Sequence, residues 1–552
     1  MRGKRAIAAV SCVLAVSVSA LAGCGGRGVA NDDQTLEVYC WQAGYGTDWV
    51  APLLEDFGTL DWVKEKYPNY KYAKPVINDQ NNFGESRVDQ GAGNTIDLFF
   101  SQNMESFYGT DTLVDLTDCV YNQPVPGEDI LFKDKLKPSV LDNMGYRPIG
   151  NLTAEPRYYS VPWADSVGGI VYNQSLFEDL GLTVPNTTDE MFTLMENVKQ
   201  GNIKNKAEYK HTYSFITTKV SYTNYMFHEW WAQYEGLQGY KNFWNGIAED
   251  GTRNSVDIFS QQGRLKSLEI MHDIHNEDRG YYDRSSSTYE FIAGQTRLLT
   301  RDGLMMVSGS WFSNEMQDLA AGLKKEGYND VISMMRTPVV SAIVEKTPSI
   351  VAAASAAGKT SDKMLSEVIK EVDAGLTKSS NEAITQTDFN KVREARGLKF
   401  SIGATHNTVI PQAASAKELA IDFVRYLATD RACAIYAEHT CGGGMGIQYS
   451  FEEKAPEKYE QLMTQYKETF TLQSDAQRML RAENNYILPY YGTFPLARWG
   501  GVTPLTTTYG VETGFISDKN LTAQAVWQET IDYWTENGNR RWNNALSKAG
   551  LR

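Results

Sequence analysis

The sequence predicts an α/β fold, and three features carry that prediction. First, Leu36, Val38 and Cys40 alternate with polar residues as a strand does, and a loop follows from Trp41 to Gly46. Val50, Leu53, Leu54 and Phe57 then recur at i, i+3, i+4 and i+7, one face of a helix that Thr47 or Asp48 can cap. Second, Tyr158 to Glu190 contains two short apolar runs, around Val161 and at Ile170–Tyr172, separated by a small polar and glycine segment that holds Trp163 and Asp165. A helical turn or two follows, with Leu176, Phe177 and Leu180 on one side and Gly181 as its stop. Thr187 and Glu190, after Pro185, have the capping-box spacing that opens another helix. Third, 552 residues are ample for two or three domains with cores of their own.

The first 23 residues are not fold material. Arg2, Lys4 and Arg5 form a basic start, Ala6 to Leu21 is apolar and small, and Leu21-Ala22-Gly23-Cys24 reads as a bacterial lipobox. The Cys24 thiol would carry the lipid and become the mature N-terminus, with residues 24–34 as a tether. A plain secretory signal or a single membrane span is the competing reading, and the run is short and rich in Ala and Ser for a span. Removing the three basic residues of this leader takes the net charge from −15 to about −18. That acidity argues against nucleic-acid binding and against a polybasic membrane patch. Beyond Cys24 only Cys40, Cys119, Cys433 and Cys441 follow Cys12, with no C-x-x-C, so metal-finger and thioredoxin readings are weak. Cys433 and Cys441 are close enough in sequence to pair, and free buried thiols are the equal alternative.

Along the chain, Ile96–Phe100 is a second buried strand, followed by Ser101-Gln102-Asn103. His211–Ile216 is strand-like, and Thr223–Tyr234 is a helix dense in aromatic residues. Leu265, Leu268 and Met271 mark an amphipathic helix, and Val331–Pro338 a strand. Leu365, Val368, Ile369 and Val372 mark a helix that Gly375 ends, and Phe400–Ile402 resumes a strand. Ala420, Phe423, Val424 and Leu427 face one way on a helix over Lys417–Thr429, and an aromatic-rich helix runs through Trp527, Tyr533 and Trp534.

The order of these features resembles the family-1 extracellular solute-binding proteins, the sugar-capturing subunits of ABC importers. The matching residues are Pro162, Gly168 or Gly169, Tyr172, Asn173, Gly181, Pro185, Thr187 or Thr188, and Glu190. Gly93 and Asp97 match the family's strand there, and Phe291, Gly294 and Met305 or Met306 its "F-x-x-G-x-x-x-M" segment at a longer spacing. Ser310-Trp311 match an aromatic after a small residue, and Glu418, Ala420, Phe423 and Leu427 a helix near the end. The matched segments cover about half the chain. The resemblance implies a two-lobed fold like that of the periplasmic binding proteins, with hinge-linked lobes and a central ligand cleft. It divides the chain into a first lobe (35–158 and 400–440), a second lobe (159–340 and 441–552) and an insertion at 341–399. It further implies a monomer on the extracytoplasmic face of a bacterial membrane, capturing a carbohydrate (an oligosaccharide above all) and presenting it to the transmembrane permease subunits.

Other chemistry is weakly signalled. Gly23-x-Gly25-x-x-Gly28 matches a dinucleotide fingerprint but lies in the lipobox and tether. Ala353–Thr360 fits a loose phosphate-loop pattern without its first glycine, and a capped helix start at Thr360 or Ser361 explains it. His272 and His275 stand at helical spacing, without H-E-x-x-H or a nearby Cys, and a solvated helix face is the expectation. No G-x-S-x-G elbow occurs, and no pair of carboxylates stands out as a glycosidase pair. The expectation is therefore no catalytic residue, no metal and no cofactor, with a lipid-anchored carbohydrate-active enzyme as the alternative. A sugar offers C–H faces to aromatic rings and hydroxyls to amides and carboxylates. Trp41, Gln42, Tyr45, Gln102, Trp163, Asp165, Trp231 and Trp311 supply that set on predicted loops, with Asp165 as an acceptor for ligand hydroxyls.

Overall fold

Short apolar runs separated by helices build two large β-sheets, and the chain passes between them; Thr35–Leu36 also pairs with Lys71–Tyr72 in a small third. The computed structural model describes residues 33–42, 44–80, 83–148, 154–205, 213–218, 222–327, 329–401, 406–460, 470–471, 478–480, 514–516, 518–548 and 551. The strands of the two large sheets are β1 (Val38–Trp41), β2 (Val76–Asn78), β3 (Leu98–Gln102), β4 (Val161–Pro162), β5 (Val167–Asn173), β6 (Tyr213–Ile216), β7 (Gly303–Gly309), β8 (Ile332–Met334), β9 (Leu398–Ser401), β10 (His406–Val409), β11 (Phe470–Thr471) and β12 (Arg478–Leu480). The larger helices used below are α1 (Val50–Thr59), α2 (Gln174–Leu180), α3 (Thr188–Gln200), α4 (Thr223–Trp244), α5 (Gln262–His275), α6 (Phe291–Leu299), α7 (Phe312–Lys325), α8 (Ser361–Asp373), α9 (Gln386–Gly397) and α10 (Lys417–Tyr426).

The first lobe is a five-stranded sheet in the order β2-β1-β3-β10-β4. Strands β1, β2 and β3 run parallel, so their carboxyl ends open on one edge, where the loop Gln42–Gly46 begins. Strand β10 returns antiparallel, pairing His406 with Gln102 and Asn407 with both Ser101 and Pro162. Helix α1 buries Val50, Leu53, Leu54 and Phe57. Trp49, rather than Thr47 or Asp48, takes its cap position, and its indole N–H donates to the Gly46 carbonyl at 3.1 Å.

The second lobe is a seven-stranded sheet. Strand β5 is its centre. β7 flanks it along one side, while β8 and β9 share the other, pairing with its end and its start. That central place explains the unbroken apolar run of β5, which is covered on both faces. Asn173 caps α2, its side-chain Oδ1 accepting the Leu176 N–H at 2.8 Å, and Gly181 closes that helix at φ 67°. Thr187 caps α3 by accepting from the Glu190 N–H at 3.1 Å, while the Glu190 carboxylate reaches back to the Asn186 N–H at 2.8 Å. Helix α4 is two helices joined at Gly236, whose φ of 77° breaks the rod. The segment from 341 to 397 is helical and rests on this lobe: Thr187 donates to Asp362 at 2.9 Å, and Glu394 accepts the Leu237 N–H at 2.7 Å. Thr360 caps α8 by accepting from Lys363, the capped start anticipated there.

One detail differs from expectation. His275 is buried rather than solvated, and its Nδ1 lies 2.8 Å from the Met271 carbonyl. Helix α5 has neighbours on that side too, which its short apolar pattern does not reveal. Cys40, Cys119, Cys433 and Cys441 are all free. The lipobox, tether and Gly23–Gly28 motif lie outside the described residues. Among those described, no helix is long and apolar enough to cross a membrane.

A buried ion pair ties β9 to α4. The Lys399 ammonium lies 3.7 Å from Glu229 Oε1, donates to Thr337 Oγ1 at 2.7 Å, and both side chains are sealed from solvent. Burial pushes the Glu229 carboxyl up and the Lys399 ammonium down, so both ions stand in a site that resists charge. Glu229→Ala leaves the ammonium without its counter-charge and is expected to cost about 3–5 kcal/mol in urea denaturation. Replacing both partners with leucine should cost less than that single change.

Candidate functional site

The chain leaves β4 and enters β5 through Trp163, Ala164, Asp165 and Ser166. Around this crossing the two lobes meet. On the first-lobe side, Trp41 is half-buried at the end of β1, with its indole N–H 3.4 Å from the Asp79 carbonyl. Its ring stands 5.7 Å from that of His406, which stands 4.8 Å from Trp163, which stacks on Trp49 at 5.6 Å. A file of rings thus runs from the rim into the first core.

On the second-lobe side the rings form a column. His228 stacks on Phe400 at 5.3 Å, Phe400 on Tyr225 at 5.1 Å, and Tyr225 on Tyr222 at 5.3 Å, with interplanar angles of 22°, 18° and 11°. Trp231 lies below His228, stacked at 5.9 Å. The inner rings are buried, His228 and Trp231 completely, whereas Tyr222 and Tyr225, at the start of α4, are only half-buried. Trp311 stands edge-on to both tyrosines, at 5.5 and 6.4 Å. The column lies flat on the sheet because Gly168 has no side chain; a Cβ there would come within 2.4 Å of the Tyr225 ring.

The lobes touch through the loop after β1 and the corner between β7 and α7. Gly44 lies against Trp311, the Asn314 amide donates to the Gly44 carbonyl at 2.8 Å, and the Tyr45 hydroxyl is 2.9 Å from Ser310 Oγ. Ser310 Oγ also accepts the Val167 N–H at 3.3 Å, which ties this corner to the crossing. Burial pushes the Tyr45 phenol up to about 12, so it keeps its proton.

Each anticipated residue can now be located. Trp41, Tyr45, Gln102, Asp165 and Trp311 lie at or beside the boundary. Gln42 is exposed on the adjoining loop, its N–H bonded to Asn78. Trp163 is fully buried and its indole N–H donates to the Ser101 carbonyl at 2.8 Å, so it supports Trp49 and His406 and presents no open face. Trp231 is further away, in the helical core, donating to Gln261 at 2.8 Å; it is the foot of the column. Asp165 Oδ2 accepts from Lys137 at 2.6 Å, while its Oδ1 is buried without a hydrogen bond. Sequence reasoning missed Tyr222, Tyr225 and His406 as site residues. The signal was the spacing of Tyr222 and Tyr225, three apart at a helix start, which puts both rings on one face.

Glu315, one turn into α7, accepts from the Gln295 amide at 2.7 Å. Burial pushes its carboxyl up to about 7 from an ordinary 4.5, with the Gln295 bond opposing. No group of three or more His, Cys, Asp or Glu side chains that could hold a metal occurs among the described residues.

Residues 43–432 match the sequence model of the bacterial extracellular solute-binding proteins. A 43-residue stretch is 49% identical to the multiple sugar-binding protein of Streptococcus mutans. That stretch is 8% of this chain and 10% of that protein, so the chain spans about a tenth of the curated relative it matches. In three dimensions the chain is similar to a protein solved in work on xylan utilization by Caldanaerobius polysaccharolyticus, with 12% identity, TM-score 0.52, and 90% of this chain and 99% of that one covered. It is also similar to an ABC transporter solute-binding protein of Thermotoga lettingae bound with α-D-tagatose, with 14% identity, TM-score 0.51, and coverage of 92% and 100%. These likenesses carry the two-lobed fold.

A carboxyl whose folded value exceeds its unfolded one binds more protons in the native state, so its contribution to stability falls as pH rises between the two. For Glu315 that window runs from about 4.5 to about 7. Glu315→Gln is therefore expected to remove a loss of up to about 3 kcal/mol between pH 5 and pH 8, read from urea midpoints at both ends.

Proposed function

Because the chain belongs to the bacterial extracellular solute-binding proteins, we propose that it captures a carbohydrate, above all an oligosaccharide, between its lobes and hands it to an ABC permease. The observation that carries this reading is the pair of half-open aromatic walls, Trp41 on one lobe and Tyr222, backed by Tyr225, on the other. Flat apolar faces on both sides suit the C–H faces of sugar rings, while Gln42, Gln102 and Asp165 Oδ1 stand near to serve hydroxyls. The local identity with a protein named for binding multiple sugars supports the same class. Capture is non-covalent. The lobes close on the ligand, water leaves its polar groups, and the closed form is the species the permease meets. Buried columns behind each wall keep the faces in place.

A thermal-shift panel of mono- and oligosaccharides on residues 35–552 tests this. A bound sugar should add about 2.7 kcal/mol of stability at a hundredfold excess over its Kd, and chromatography should recover it unaltered. Shortened products, or no shift with any sugar, would overturn the reading. Tyr222→Ala and Trp41→Ala should each weaken the sugar that binds by about tenfold, or about 1.4 kcal/mol, in titration calorimetry.

The protein acts as a monomer held to the outer face of the membrane by lipid on Cys24. The basic start, short apolar run and lipobox support that placement. Cys24→Ala should move the protein from the membrane fraction to the soluble one; unchanged fractionation would remove the anchor.

A further inference from the structure

The contact between the lobes is made by main chain and short side chains that leave no slack. The Trp311 indole lies between two glycines from different lobes. A Cβ on Gly44 would sit 2.6 Å from its Cγ and Cδ1, and one on Gly309 would sit 2.0 Å from its Cζ3. At Gly44 the room for a side chain is taken up by the opposite lobe. Two hydrogen bonds lock the same loop to the same corner: Asn314 to the Gly44 carbonyl at 2.8 Å, and Tyr45 with Ser310 at 2.9 Å. Beside them, the Cys441 thiol, which follows a first-lobe helix, donates to Gln317 on α7 at 3.4 Å. Tyr45 is only 4% exposed, covered from both sides.

We propose that Gly44 and Tyr45 are positioning residues for closure: their loop is shaped to dock on the Trp311 corner, so the lobes meet there through the protein's own atoms before a ligand arrives. The loop sits at the carboxyl end of β1 and the corner at the carboxyl end of β7, so this contact adjoins the proposed cleft, where the Trp311 edge meets Tyr222. A ligand then completes a closed state that is already populated. Apparent affinity scales with that population, because the competent fraction divides the intrinsic dissociation constant.

The proposal deepens the capture reading, but rests on it only where affinity is measured. Small-angle scattering of the ligand-free protein is the primary readout. Gly44→Ala wedges the Trp311 contact and should enlarge the radius of gyration. Tyr45→Phe, which removes one hydroxyl and keeps the ring, should do so to a smaller extent. In a Trp311→Ala background Gly44→Ala should add no further expansion, since the wedge has nothing to strike. If the closed fraction falls tenfold, the Kd of the sugar that binds should rise about tenfold. Unchanged scattering from both Gly44→Ala and Tyr45→Phe overturns the proposal, as does equal expansion by Gly44→Ala with and without Trp311. Should no sugar bind, the capture reading falls, and the scattering of the ligand-free variants still decides this one.

Discussion

Four residues, Trp163 to Ser166, carry the chain from one sheet to the other, and three of them are fully buried. So short a link, sealed on both sides, fixes where the lobes can stand. Its Asp165 N–H donates to the Gly444 carbonyl at 2.7 Å, and its Trp163 indole donates to the Ser101 carbonyl near the end of β3. The Val167 N–H, just past the link, donates to Ser310, which meets Tyr45 from the opposite lobe. Because the crossing is pinned into both cores, the carboxyl ends of β1 and β7 are brought face to face, and everything proposed about the site follows from that opposition.

Aromatic rings do two jobs around the crossing. Those at the feet of each file, Trp49 and Trp163 on one side and Trp231, His228 and Phe400 on the other, fill core and hold the outer rings at fixed angles. Those at the tips, Trp41, Tyr222 and Tyr225, are only half-buried. The division follows from how far along a file each ring lies, since stacking propagates orientation from a rigid core to a half-open face. The Glu229–Lys399 pair belongs to this support: Glu229 Oε2 accepts the Phe400 N–H at 3.1 Å, fixing the middle ring of the column to α4.

Much of the fold was legible because hydrophobic period and capping chemistry are local. The strand at Val38–Trp41, the buried face of α1, the Asn173 and Gly181 ends of α2 and the Thr187 cap of α3 all follow from residues within a few positions of one another. The kink at Gly236 was not legible, since a glycine inside an aromatic-rich helix gives no sign of whether the helix continues through it. Nor was the burial of His275, because a two-histidine spacing says nothing about what covers it.

For the site, the sequence determined the composition of the boundary: rings and amides on loops that follow strands, with Trp41, Tyr45 and Trp311 among them. Only the tertiary structure decided which rings face outward. Trp163 and Trp231 are chemically suited to a sugar yet are enclosed, while Tyr222 and Tyr225 stand half-open. The physical reason is that residue type and spacing fix which way a side chain leaves its own strand or helix. Exposure depends on what another part of the chain lays over it, as Trp311 lies over Gly44 across more than 260 intervening residues.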